Sequence, residues 1–187
     1  MIEQIKNKFL LLDTNILIDS SKYPEDFQGF YDSLKKLNVS SVLDQTVKME
    51  FMRGVQNKEQ QESFNSFLEA LFGKGHLVLQ LDNSIIEMAS KLAIIYGRNK
   101  KSAEIGDYFI AAQMCKYSSS SETLFLATRN NDDFPRLVFD RIHIYTIDVK
   151  KTDQIINIGI YKFNKENFDN QYKYTFIIIL NSNGIQF

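Results

Sequence analysis

Four acidic stretches of the sequence stand where an apolar element ends or borders a polar one. Asp13 directly follows "FLLL" and precedes "TNILID". Glu50 lies in "QTVKMEFMRGV", where Val47, Phe51 and Val55 recur at four-residue steps and mark the buried stripe of a helix. At 100° per residue Glu50 falls roughly 60° to one side of Val47, with Gly54 one turn further on. Asp107 belongs to "SAEIGDYFIAAQMC", where it shares a face with Ile110, Ala111 and Met114 while Ile105, Phe109 and Ala112 cover the opposite side. A helix apolar nearly all round is normally buried, and a carboxylate on it needs hydrogen bonds, a cation or a proton. In "LATRNNDDF" an apolar strand ends at Thr128, and a polar loop follows with Asn130, Asp132 and Asp133, which Phe134 is expected to anchor.

Each acid has a purely structural alternative. Asp13 suits a helix N-cap, and Glu50 could pair with Arg53 at (i, i+3) for a few tenths of a kcal/mol. That pairing leaves Gly54 unexplained, at roughly 1 kcal/mol against alanine inside a helix. Asp132 suits a turn. Taken together, however, two acids end strands and two border apolar helix faces, so they can converge. Two carboxylates about 4 Å apart repel by roughly 4 kcal/mol at an effective dielectric of about 20, against a total domain stability of roughly 5 to 15 kcal/mol. A cluster therefore calls for a compensating cation, and oxygen-only donors suit Mg²⁺ or Mn²⁺. With only His76, His143 and Cys115 as nitrogen or sulfur donors, a zinc site is poorly supplied.

The elements that must position these residues are short apolar runs separated by helical patterns. Strands are expected at Phe9 to Leu12, Asn38 to Leu43, His76 to Leu81, Thr123 to Thr128 and Ile142 to Ile147. Helices are expected at Glu25 to Leu37, Gln45 to Val55, Glu59 to Phe72, Ser84 to Tyr96 and Ala103 to Tyr117. Alternation of this kind implies crossover connections, so the expected fold is α/β: a three-layer α/β/α sandwich around a mainly parallel sheet. Ligands of such sheets collect at the carboxyl ends of the strands, where Asp13 stands. From about Lys150 the character changes, because "IINIGIYKF" and "YKYTFIIIL" flank a polar "NKENFDNQ" and read as a hairpin. The expected division is a body over 1–149 and a C-terminal β-rich appendage over 150–187. With five lysines and three acids the appendage carries +2, which leaves -3 on the body.

The whole chain of 187 residues, 44% hydrophobic and 24% charged, has the composition of a globular protein. Its net charge of -1 provides no overall positive field, so a nucleic-acid ligand needs a local basic patch, a metal or both. One cysteine excludes an intramolecular disulfide. The four apolar residues before Asp13 are too few for a signal-peptide core, and "FIIIL" falls far short of the about 20 residues of a membrane helix. A soluble, cytoplasmic protein without a membrane partner is expected.

The motifs "LLDTNILID", "MEFMRG", "EIGDYFIAAQM" and "ATRNNDDF", in that order over about 145 residues, resemble those of the PIN-domain nucleases, most closely the VapC-type toxins of toxin–antitoxin pairs. The resemblance implies that Asp13, Glu50, Asp107 and Asp133 form an acidic catalytic cluster that binds Mg²⁺ or Mn²⁺. It assigns supporting roles to Asn15, Thr128 and Asn130, and it selects Asp133 over Asp132 through the pattern Thr128, Asn130, Asp133, Phe134. Arg53 is a candidate phosphate contact, with pairing to Glu50 as its rival role. The implied activity is endoribonucleolytic hydrolysis of RNA by a metal-activated water, with a protein antitoxin and a second copy of the chain as partners. Basic "GRNKKS" at Gly97 to Ser102, with Arg53 and Arg129, could steer the RNA backbone or could be solvated loop. Two alternatives stay open: a non-catalytic PIN-fold binding module, and a haloacid-dehalogenase-type phosphatase, which wants a second carboxylate where Asn15 stands.

Overall fold

Short apolar runs bounded by polar residues suit strands buried on both faces, and the computed structural model places "FLLL" and "LFLAT" in the middle of one sheet. It describes residues 3–118 and 123–182, with side chains through residue 174. In chain order the elements are β1 (Phe9–Leu12), α1 (Thr14–Lys22), α2 (Pro24–Lys36), β2 (Ser40–Asp44), α3 (Gln45–Met52), α4 (Lys58–Phe72), β3 (Val78–Leu79), α5 (Asn83–Arg98), α6 (Ile105–Ser118), β4 (Leu124–Thr128), β5 (Phe139–Val149), β6 (Gln154–Phe163) and α7 (Lys165–Ser182). A single 3-10 turn, Glu3–Ile5, precedes β1.

The six-stranded sheet has the order β3-β2-β1-β4-β6-β5. Strand β1 pairs in parallel with β2 on one side and with β4 on the other, where Leu12 stands beside Ala127. The chain moves outward from β1 through β2 to β3 and then returns past β1 to β4. Right-handed crossovers consequently put α1 to α4 on one face and α5 and α6 on the other, giving three layers. The direction reverses at β1, which opens a crevice between the carboxyl ends of β1 and β4. Leu10, Leu11 and Leu12 are fully buried, as is every residue of β4.

The second half of the sheet departs from the sequence expectation. "IHIYTI" is the middle of a longer strand that pairs antiparallel with β6, and β6 in turn pairs antiparallel with β4, with Thr128 opposite Gly159. "IINIGIYKF" is thus a strand, but its hairpin partner is β5, through a turn at Asp153, whose φ is +50°. The other expected arm of the hairpin, "YKYTFIIIL", lies in helix α7. Its β-branched run has the composition of a strand. The preceding "NKEN" nevertheless starts a helix, because the Asn164 carboxamide accepts from the Asn167 N–H at 2.9 Å and Glu166 sits in the first turn. Two smaller differences concern helix ends. Helix α3 stops at Met52, so Gly54 lies beyond it, and α6 begins at the surface, where Ile105 is 73% exposed, before running buried from Ile110 to Cys115.

Candidate active site

At the crevice, the first residue past β1 is Asp13, which is only 4% exposed and caps α1. Its carboxylate accepts from the Thr14 N–H and the Asn15 side-chain amide, each at 2.6 Å, and from the Thr128 hydroxyl at the end of β4. Asn15 also donates to Thr128 at 3.1 Å and accepts from the Arg129 N–H, which ties the two strand ends together. The cap geometry of Asp13 is compatible with a place in the cleft, since one oxygen takes Thr14 and the other is held by the Asn15 and Thr128 side chains. Asn15 fills the place of a second carboxylate with a donor, which removes the basis for a haloacid-dehalogenase-type site.

Asp13, Glu50, Asp107 and Asp133 line one cleft of about 630 Å³, together with Asn15, Arg53 and Asn130. Glu50 reaches it from α3 and accepts from the Thr14 hydroxyl at 2.5 Å. Arg53 is exposed at the end of α3 and faces the same cleft. Among the described residues it forms no ion pair with Glu50, so the rival pairing is not made. Asp107, in the first turn of α6, accepts from the Glu104 N–H at 3.1 Å. Asp133 accepts from the Asn130 side chain, while the Asn130 N–H donates to Thr128. Asp132, its neighbour, lines a different pocket.

Burial, with neighbouring negative charge behind it, favours the protonated forms of these groups. Burial, followed by the charges of Asp133, Asp13 and Glu50, raises Asp107 to about 7. Burial raises Asp13 to about 6 against the hydrogen bonds of Thr128, Thr14 and Asn15, with the Glu50 charge adding to the rise. Asp133 is raised as well, chiefly by burial, with the charges of Asp132 and Glu104 adding to the rise against the hydrogen bond from Asn130. As they stand, no three Asp, Glu, His or Cys side chains among the described residues close on a single point. The donor set nevertheless fits a hard divalent cation: it is all oxygen, and a cation there would offset both the burial and the neighbouring negative charge that raise Asp13 and Asp107.

Three contributors escape a reading of sequence. Gly106 is the first, because a Cβ at that position would lie 2.2 Å from Glu50 Oε1 and 3.3 Å from Thr46 Cγ2. This glycine admits the Glu50 carboxylate to the cleft, whereas a Cβ on Gly54 would meet nothing within 4 Å. The second is Tyr96, 1% exposed, whose hydroxyl donates to the Asp133 carbonyl at 3.0 Å and fixes the loop. The third is Glu104, a fifth acid on the cleft wall just before α6. Phe134 anchors the loop as expected, 1% exposed and set edge-on against Phe139 at 5.8 Å. Of the basic residues, Arg129 is engaged by the buried Asp19 and is not free for substrate.

No curated protein matches the sequence. Among solved structures, the fold is similar to a chain in the crystal structure of FitAcB from Neisseria gonorrhoeae. The TM-score is 0.50 at 23% identity, over 67% of this chain and 90% of that one. It is similar also to a chain in the structure of VapBC2 from Rickettsia felis bound to a DNA fragment from their promoter, with a TM-score of 0.50 at 19% identity over 62% and 84% of the two chains. At these identities the likeness is one of fold. The sequence itself matches the family model of the PIN domain over residues 10–140, from the middle of β1 to the start of β5 and through all four acids, and the chain belongs to the PIN domain family.

Proposed function

We propose that the chain is a Mg²⁺- or Mn²⁺-dependent endoribonuclease in which Asp13, Glu50, Asp107 and Asp133 hold the metal. The observation that carries this reading is the delivery of four carboxylates from four separate elements into one cleft. A divalent ion in such a site supplies a Lewis acid and an acidified water for attack on a phosphodiester. Asn15 and Thr128 orient Asp13 and keep one of its oxygens engaged. Asn130 does the same for Asp133, and the Glu104 N–H for Asp107. Arg53, exposed on the cleft rim, is placed to neutralise a non-bridging phosphate oxygen. The cleft holds no histidine, so a protein imidazole is not the base. By its resemblance to VapC-type toxins the protein acts in the cytoplasm as the toxin of a toxin–antitoxin pair, with a protein antitoxin and a second copy of itself as partners. No helix among the described residues is long and apolar enough to cross a membrane.

The test is cleavage of a pool of structured RNAs by the purified protein in Mn²⁺, beside an EDTA control and a folded Asp107→Asn variant. Metal-dependent cutting that the variant lacks is the expected result. If wild type and variant are equally inert and Mn²⁺ raises the melting temperature of neither, the cleft is not a metal site and the protein is a PIN-fold binding module.

A further inference from the structure

On the other side of the Asn130–Asp133 loop lies a second pocket, of about 510 Å³, that the acid cluster does not use. We propose that it is a phosphate subsite that seats the RNA backbone next to the acid cleft, with Lys101, Arg136 and Arg141 as its cationic walls. The proposal rests on the ribonuclease reading and assigns the substrate a path across the surface.

Charge is the first argument. The protein carries a net charge of -1, yet this pocket gathers three cations against one carboxylate, Asp132. Lys101, Arg136 and Arg141 are all exposed, and none is in an ion pair among the described residues. Two guanidinium forks and an ammonium are well matched to phosphodiester oxygens. A chain without an overall positive field needs such a local patch to hold a polyanion.

Rigidity is the second. Arg141 stands opposite Tyr161 in the β5–β6 pair. Tyr161, 2% exposed, donates through its hydroxyl to Asn131 Oδ1 at 2.6 Å. Room for that bond exists because residue 159 is glycine: a Cβ there would lie 2.6 Å from both Asn131 Oδ1 and the Tyr161 ring. Phe134 and Pro135 are buried beneath the loop. The pocket wall is therefore held in place before any ligand arrives.

Continuity with the acid cleft is the third. Asn130 and Asp133 line the cleft, while Asn131 and Asp132 between them line the pocket. Lys101 lines the pocket and the next residue, Ser102, the cleft. Neighbouring Cα atoms are about 3.8 Å apart, so the two depressions flank a single ridge and one nucleic-acid strand can occupy both. No aromatic ring is exposed in the pocket, since Phe134 and Tyr161 are both buried. The subsite accordingly reads backbone charge and is indifferent to base identity.

Binding of a fluorescein-labelled single-stranded RNA of about a dozen nucleotides, followed by anisotropy across a salt series, tests this. The Asp107→Asn protein serves as the parent, so that cleavage does not interfere. In that parent, Arg136→Ala/Arg141→Ala should weaken binding at least tenfold at low salt. It should also flatten the log affinity against log salt slope by about 1.4, from about 0.7 per lost phosphate contact on a single strand. Lys150→Ala/Lys151→Ala, which removes the same charge from the far turn of the β5–β6 ribbon, should leave both nearly unchanged. If the arginine pair binds like this lysine pair while the parent binds RNA, the subsite is refuted and the ribonuclease reading stands. If neither the parent nor the wild-type protein held in EDTA binds RNA at any salt, the ribonuclease reading fails and takes the subsite with it.

Discussion

Gly106→Ala is the substitution that most directly probes how the cleft is assembled. The new methyl group would sit 2.2 Å from Glu50 Oε1, far inside contact distance, and 3.3 Å from Thr46 Cγ2. The Glu50 carboxylate ends a flexible side chain, so it can swing away, but only by giving up the 2.5 Å bond from Thr14. A hydrogen bond to a charged group is worth about 1.5 to 3 kcal/mol, whereas alanine in place of glycine in a helix returns up to about 1 kcal/mol. The net loss of stability should therefore be modest, about 1 to 2 kcal/mol by urea unfolding. In a Glu50→Ala background the clash is gone, and the same change should be neutral or stabilising by up to about 1 kcal/mol. The cycle thus expects a coupling of about 1 to 3 kcal/mol between positions 50 and 106, within the range for residues in contact. Calorimetric Mn²⁺ binding and RNA cleavage should fall at least tenfold in Gly106→Ala, the scale seen when a ligand's support is removed. A coupling below about 0.3 kcal/mol with wild-type Mn²⁺ affinity would refute the assignment of Gly106 as the residue that admits Glu50.

The metal-free protein, kept in EDTA, should lose stability as pH rises from about 4 to about 7. Asp13 and Asp107 are raised to about 6 and about 7 from 3.8, so between those values the folded state binds more protons than the unfolded one and the slope is negative. For the buried Asp13 alone the loss is about 3 kcal/mol, and Mg²⁺ at pH 8 should restore much of it; a thermal melt flat over this range would contradict the raised pKa values that burial and neighbouring charge give these carboxyls. Phe134→Ala should cost about 3 to 5 kcal/mol by chemical denaturation, because the ring is fully enclosed against Phe139 and Tyr161. Tyr96→Phe should cost about 1 to 3 kcal/mol, since it strands the Asp133 carbonyl, and it should lower cleavage with little change in far-UV circular dichroism; unchanged stability would show that the bond does not hold the loop.

The parts of this molecule that could be read from its sequence are those fixed by short-range rules. Asp13 is legible because an apolar strand, a cap and a helix start lie within a dozen residues, and the parallel strands are legible as short apolar runs between helical patterns. The failures lie where two distant segments decide the outcome. Two glycines, Gly54 and Gly106, flank acidic residues in helical patterns, and only the packing of α6 against α3 reveals which one has a carboxylate over it. The run "FIIIL" has the composition of a strand, but the cap at Asn164 and the prior pairing of β6 with β4 and β5 leave no open edge for it beside β6. The acid cleft follows the same logic on a larger scale. Its acids come from positions 13, 50, 107 and 133, each with a good local alternative, and their meaning arises from the reversal of strand order at β1, which brings the ends of β1 and β4 together under α3 and α6. The basic pocket is less legible still, because only Lys101 lies in the basic "GRNKKS" stretch, while Arg136, Arg141 and Tyr161 belong to no contiguous motif. They meet because β6 inserts antiparallel between β4 and β5, so the insertion that upset the expected hairpin also places Tyr161 and the Gly159 notch against the acidic loop.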